Sequence, residues 1–76
     1  MAQRLSDLPT GASAVISTMP GNVPALTRLR EMGVLPGTRL QLVRRAPLGD
    51  PIEISLRGAL LSLRKSEADR IEVEPA

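Results

Sequence analysis

Apolar and polar positions alternate with period two through several short stretches of this chain, and with a helical period through one. Ile52-Glu53-Ile54-Ser55-Leu56 is the cleanest alternation and predicts a strand with Ile52, Ile54 and Leu56 facing a core. Arg39 to Arg45 (RLQLVRR) alternates as a strand that turns basic at its end. Ala59 to Leu63 and Ile71 to Glu74 give two further strands, and Arg57-Gly58 makes a tight hairpin connection ahead of the first of these. Ala12 to Met19 (ASAVISTM) favours a strand too, although both of its faces are weakly apolar. Between that strand and Arg39, the residues Val23, Leu26, Leu29 and Met32 form one stripe of a helix, with Arg28, Arg30 and Glu31 largely outside it. The stripe reads as core, and a leucine-rich stripe partly open to dock another protein is the competing reading.

Turn chemistry places the boundaries. Asn22 serves as N-cap, with Pro24 in the first turn, where a missing N–H costs nothing. Gly33 follows the last apolar residues, where a helix stops on a residue that accepts positive φ. Leu35-Pro36-Gly37-Thr38 reads as a type II turn, proline presetting φ at the second position and glycine supplying positive φ at the third. Ala46-Pro47-Leu48-Gly49-Asp50-Pro51 is a stiff loop, because each proline drives the residue before it into extended geometry. Asp50 in this loop reads mainly as a residue that bonds its own backbone ahead of Pro51. Leu5-Ser6-Asp7-Leu8 predicts a short helical turn or lead-in loop that plugs one end of a core, with Ser6 able to cap. Ser66-Glu67-Ala68-Asp69 predicts a capped single helical turn before the last strand. Five short strands, one inserted helix and one helical turn describe a mainly β fold, a small closed barrel, in a single domain over residues 1–76.

Composition narrows the chemistry. The chain holds no cysteine and no histidine, which leaves no disulfide and no metal site of thiolate or imidazole type. With no histidine base, no cysteine nucleophile and no phosphate-cradling glycine loop, catalysis and a bound cofactor are not expected. No run resembles a secretory leader or approaches the ~18 apolar residues of a membrane span, which predicts a cytoplasmic protein that does not insert in the membrane. The pI of 10.5 overstates the basicity, since the net charge is only +2. An aromatic content of 0% removes the stacking platforms of single-stranded nucleic-acid modules and argues against a nucleic-acid partner. Arg44-Arg45, joined by Arg28, Arg57 and Arg64, reads either as solvated strand faces paired to Glu53 and Glu72 or as an interaction patch.

The blocks RLREMGVLPGTRL, APLGDPIEISLRG and LSLRKSEADRIEV, in this order and spacing, closely resemble the FeoA family over nearly the whole chain. The resemblance implies an SH3-like barrel and a small cytosolic accessory protein of bacterial ferrous-iron uptake. It also implies a partner, the FeoB-type membrane transporter, met through its cytosolic G-protein domain or its membrane part. The matching positions are Arg28, Leu29, Glu31, Met32, Gly33, Pro36 and Gly37, then Ala46 through Pro51, then Gly58, Leu63 and Arg64. Many of these are fold-makers. The residues expected to touch the partner are Leu26, Leu29 and Met32 on the helix, with Leu48 and Asp50 on the loop. Self-association is compatible with the sequence. The alternatives are a regulatory module like the C-terminal domain of metal-dependent repressors, which the lack of a winged helix and of histidine or cysteine ligands disfavours, and a translation-associated barrel binding RNA through a basic face.

Overall fold

A computed structural model describes residues 2–76 and builds one antiparallel sheet from the alternating stretches. The strands are β1 (Gln3–Arg4), β2 (Ser13–Thr18), β3 (Arg39–Arg45), β4 (Ile52–Leu56), β5 (Ala59–Leu63) and β6 (Glu72–Pro75). A helix, α1 (Pro24–Glu31), lies between β2 and β3, and a single-turn helix, α2 (Lys65–Ala68), lies between β5 and β6. The strand order is β1-β6-β2-β3-β4-β5.

Two expectations are corrected here. Six strands form where five were expected, because Gln3 and Arg4 pair with Val73 and Glu72 over a stretch too short to show an alternation. The sheet also does not close, since β1 and β5 are its two edges and do not pair with each other. The open end is plugged as expected. Leu5 and Leu8 are buried beneath a 3-10 turn at Leu5–Asp7, and the Leu5 N–H bonds the Ile71 carbonyl at 2.8 Å. Arg45 pins this plug, its Nη2 donating to the carbonyls of Ser6 at 2.7 Å and Leu8 at 2.6 Å. Arg45 is therefore not part of an outward basic patch.

The core is aliphatic throughout. Ile52, Ile54 and Leu56 all face it, opposite Leu61 and Leu63 of β5 and beside Leu40 and Leu42 of β3. Leu40 and Leu42 face the core and Val43 faces out by alternation. A bulge between Leu42 and Arg44 then sets two residues against one, so that Arg44 lies opposite Glu53 on the outer face and Arg45 lies opposite the buried Ile52.

Helix α1 starts one residue later than expected. Val23, not Asn22, is the N-cap, because a residue before proline is held extended and Pro24 then occupies the first helical position. At the other end Gly33 (φ +100°) completes a Schellman motif. Its N–H bonds the Arg30 carbonyl and the Val34 N–H bonds the Leu29 carbonyl, each at 3.0 Å. The type II turn forms as read, with Thr38 N–H bonding the Leu35 carbonyl at 3.1 Å and Gly37 at φ +90°.

The β4–β5 hairpin turns through Arg57 (φ +52°) and Gly58 (φ +82°), the pair of positive φ values that a type I′ turn demands. Arg57 is the one non-glycine described with positive φ, a conformation that costs an L-residue roughly 1 kcal/mol and asparagine less. Arg57→Asn is expected to stabilise the domain by about 0.5–1 kcal/mol and to raise Tm by roughly 2–6 °C, with Arg57→Val lowering it; thermal unfolding followed by circular dichroism checks both.

The two capping assignments read from serines are also corrected. Ser6 lies inside its turn and donates its hydroxyl to Asp69 Oδ1, across 63 residues of chain. Helix α2 is capped not by Ser66, which is exposed, but by Glu67, whose Oε1 accepts the Arg64 N–H at 2.9 Å. The Ser6 hydrogen bond holds the Asp69 carboxyl below its ordinary value; burial opposes this, and Lys65, whose Nζ is 3.5 Å from Oδ1, and Arg4 add to it. A carboxyl lowered in the folded state contributes stability in full above about pH 4, and that contribution is lost as pH falls through the lower folded value. Ser6→Ala is therefore expected to lower Tm at neutral pH, with the gap to the parent chain narrowing as pH drops well below about 4.

Candidate functional site

The helix stripe splits by depth. Leu26 and Leu29 are both 0% exposed and sit wholly in the core, so their side chains present nothing to a partner. This corrects their expected contact role: a three-residue spacing marks one helical face but not how far that face is covered. Met32 is the C-cap, at the rim, and is 44% exposed. Leu48 is 96% exposed at the tip of the 46–51 loop, the most exposed large apolar side chain described.

Loop 46–51 is held at both ends. Ala46 N–H bonds the Pro51 carbonyl at 3.0 Å, Gly49 N–H bonds the Ala46 carbonyl at 2.7 Å, and the Asp50–Pro51 peptide bond is cis. Asp50 does not bond its own turn. Its Oδ1 accepts the Lys65 N–H at 2.9 Å, so a carboxylate meets the first residue of α2 and ties the loop to the end of β5.

These constraints enclose a groove of about 430 Å³ lined by Arg28, Asp50, Pro51, Ser62, Arg64 and Glu67. Arg28 spans it. One guanidinium nitrogen is 3.8 Å from Glu67 Oε2, and another points at the Met32 sulfur at 3.6 Å. Arg28 thus links Met32 to the groove that Asp50 also lines, whereas Leu48 stands out on the loop tip. Glu67 is the residue that sequence reasoning missed. It is only 9% exposed and serves both the α2 cap and Arg28. Arg64 stands where the capping-box pattern has serine or threonine, so the sequence carries no ready signal for this role.

The groove mixes two guanidinium and two carboxylate groups around a short apolar floor. Such a surface matches paired charges on another protein better than a phosphate chain, which attracts one sign of charge. The outward basic face thins further because Arg44 pairs across the ladder with Glu53 at 2.6 Å. A second depression, about 490 Å³, is lined by Ser13, Thr38, Arg39, Gln41, Ser55 and Arg57 and contains none of the expected site residues. Among the described residues no group of three or more histidine, cysteine, aspartate or glutamate side chains is arranged to hold a metal ion. No helix described is long and apolar enough to cross a membrane.

Residues 3–75 match the FeoA domain model. The chain belongs to the FeoA family. A Porphyromonas gingivalis Fe(2+) transport protein A/Fe(2+) transporter FeoB fusion protein is 41% identical over 71 residues, covering 93% of this chain. This chain corresponds to only 8% of that relative's length. The solution structure of the FeoA protein from Chlorobium tepidum superposes with a TM-score of 0.89 at 37% identity, covering 96% of this chain and 70% of that one. Stenotrophomonas maltophilia FeoA, solved with zinc and described as a prokaryotic SH3 domain protein, matches with a TM-score of 0.80 at 34% identity, covering 95% of this chain and 89% of that one. The mainly β, SH3-like architecture expected from the FeoA resemblance is the one found, as an open six-stranded sheet.

Proposed function

We propose that this FeoA domain is a non-catalytic cytosolic accessory protein of bacterial ferrous-iron uptake that binds a FeoB-type membrane transporter and modulates it. The observation that carries this is the fused relative, in which an FeoA-type part and the transporter share one polypeptide. Fusion raises the effective concentration of two parts that must meet and adds no contact of its own, so it is favoured where the separate parts already bind.

The contact surface is built from the end of α1 at Met32, the loop tip at Leu48, and the groove where Arg28, Asp50 and Arg64 converge. Exposed apolar side chains beside arginines form the usual make-up of a protein interface, with the apolar groups supplying desolvation energy and the charges setting register. Asp50 has a structural part as well, since its carboxylate orders the loop against α2. The transporter side of the contact is its cytosolic G-protein domain or its membrane part, and titration with the cytosolic domain tests the first.

The test is ferrous-iron uptake in cells that carry the transporter but lack this domain, complemented with the parent chain or with Met32→Glu/Leu48→Glu. The double variant is expected to fold and to leave uptake at the uncomplemented level. Uptake equal to the parent chain's would remove this surface from the contact.

A further inference from the structure

The β5 edge of the sheet carries unused hydrogen-bonding capacity with a defined charge pattern. Leu56 pairs with Ala59 across the two-residue turn, which makes them a mutually hydrogen-bonded pair. By alternation, Ile54 with Leu61 and Ile52 with Leu63 are bonded pairs too, so the N–H and C=O groups of Leu60 and Ser62 point away from β4. Among the described residues no strand lies on that side and no other backbone partner meets these two residues. The Leu60 side chain is 65% exposed on the outer face. Natural edges are usually blunted by a charge or a proline within the strand or by extreme shortness, as β1 is with two residues. The five residues of β5, ALLSL, have none of these devices.

Cations stand at both ends instead. Arg57 precedes the strand, Arg64 and Lys65 follow it, and Arg57 and Arg64 take part in none of the ion pairs among the described residues. An antiparallel second copy of β5 would set Arg57 of each chain against Arg64 and Lys65 of the other, so like charges oppose self-pairing. We infer that the β5 edge accepts, as an added antiparallel strand, an extended peptide segment of another protein with alternating apolar residues and a carboxylate at each end. The edge ends at Ser62 and Arg64, which line the groove, so the added strand would lead one carboxylate into it. The inference goes beyond the transporter assignment, because it fixes the chemistry of the segment and not its owner.

The test is titration of the 15N-labelled full chain with the peptide Glu-Val-Thr-Val-Thr-Val-Glu and with its counterpart ending in lysines. The Leu60 and Ser62 amides are expected to shift and to exchange with solvent at least ~10-fold more slowly when bound. The lysine-ended peptide should bind about tenfold more weakly, since several exposed ion pairs are replaced by repulsion. Ser62→Pro, which removes one outward N–H on an edge where proline is tolerated, should abolish the shifts. Arg57→Gln/Arg64→Gln, exposed substitutions that leave the ladder intact, should bring the two peptides to similar affinity. Undisturbed Leu60 and Ser62 amides, or equal affinity of both peptides for the parent chain, would overturn the inference. So would Leu60 and Ser62 shifts that follow the concentration of the protein alone, which would make a second copy the occupant.

Discussion

Leu29→Ala is expected to destabilise the domain by about 3–4 kcal/mol and to lower Tm by roughly 12–32 °C. Leu29 is 0% exposed in a core without a single aromatic side chain, so no large flat group is available to slide into the space left behind. The cost contains both the lost transfer energy of the deleted atoms and the cavity that stays open. The backbone adds to the rigidity: the Leu29 carbonyl accepts the Val34 N–H in the Schellman motif, which fixes where this turn of helix sits over the sheet. Leu29→Glu is more severe, since it buries a carboxylate with no partner, and should leave the chain unfolded. Chemical denaturation of the alanine variant, followed by circular dichroism, measures the effect. A loss below about 1 kcal/mol would show that the helix stripe is not core. Any loss of partner binding on changing Leu29 would therefore report loss of fold.

The second large effect separates contact from fold. Met32→Glu and Leu48→Glu alter side chains that are 44% and 96% exposed, and each is expected to change stability by no more than about 0.5 kcal/mol. Their combined effect on affinity for the transporter's cytosolic domain is expected to be roughly ten- to hundredfold, because a carboxylate placed in the apolar part of an interface forfeits the burial it replaces and is itself desolvated. Met32 matters additionally through Arg28, whose guanidinium lies against the sulfur; a glutamate there would draw Arg28 away from Glu67 and reshape the groove. Isothermal titration of the double variant against the cytosolic domain measures the loss. An unchanged affinity in a folded variant would exclude both residues from the contact.

Much of the fold is legible in the sequence because its decisive features are local. Gly33, Pro36-Gly37 and Gly58 dictate backbone geometry within four residues, and each turn forms where they place it, with Arg57 drawn into positive φ beside Gly58. The same locality explains the misses. Asp50 finds Lys65, Ser6 finds Asp69, and Arg45 finds the carbonyls of Ser6 and Leu8, all pairings made only once the sheet has brought distant segments together. Strand alternation likewise places β3, β4 and β5 but is silent on a two-residue strand and on whether a sheet closes. For the candidate site, the stripe of Leu26, Leu29 and Met32 lies on one face as its spacing requires, yet only Met32 reaches solvent. Depth depends on what packs above a helix, and that is a property of the whole chain.

The proposal that this surface meets a FeoB-type transporter is tested most directly by nuclear magnetic resonance. The 15N-labelled chain would be titrated with the transporter's cytosolic domain, with and without GTP. The account predicts shifts and broadening confined to the amides around Met32, residues 46–51 and the groove at Arg28, Arg64 and Glu67, with the plug at Leu5–Asp7 undisturbed. Spectra that do not change at saturating transporter domain would contradict direct binding, and shifts centred on the Thr38, Arg39 and Gln41 face would contradict the site.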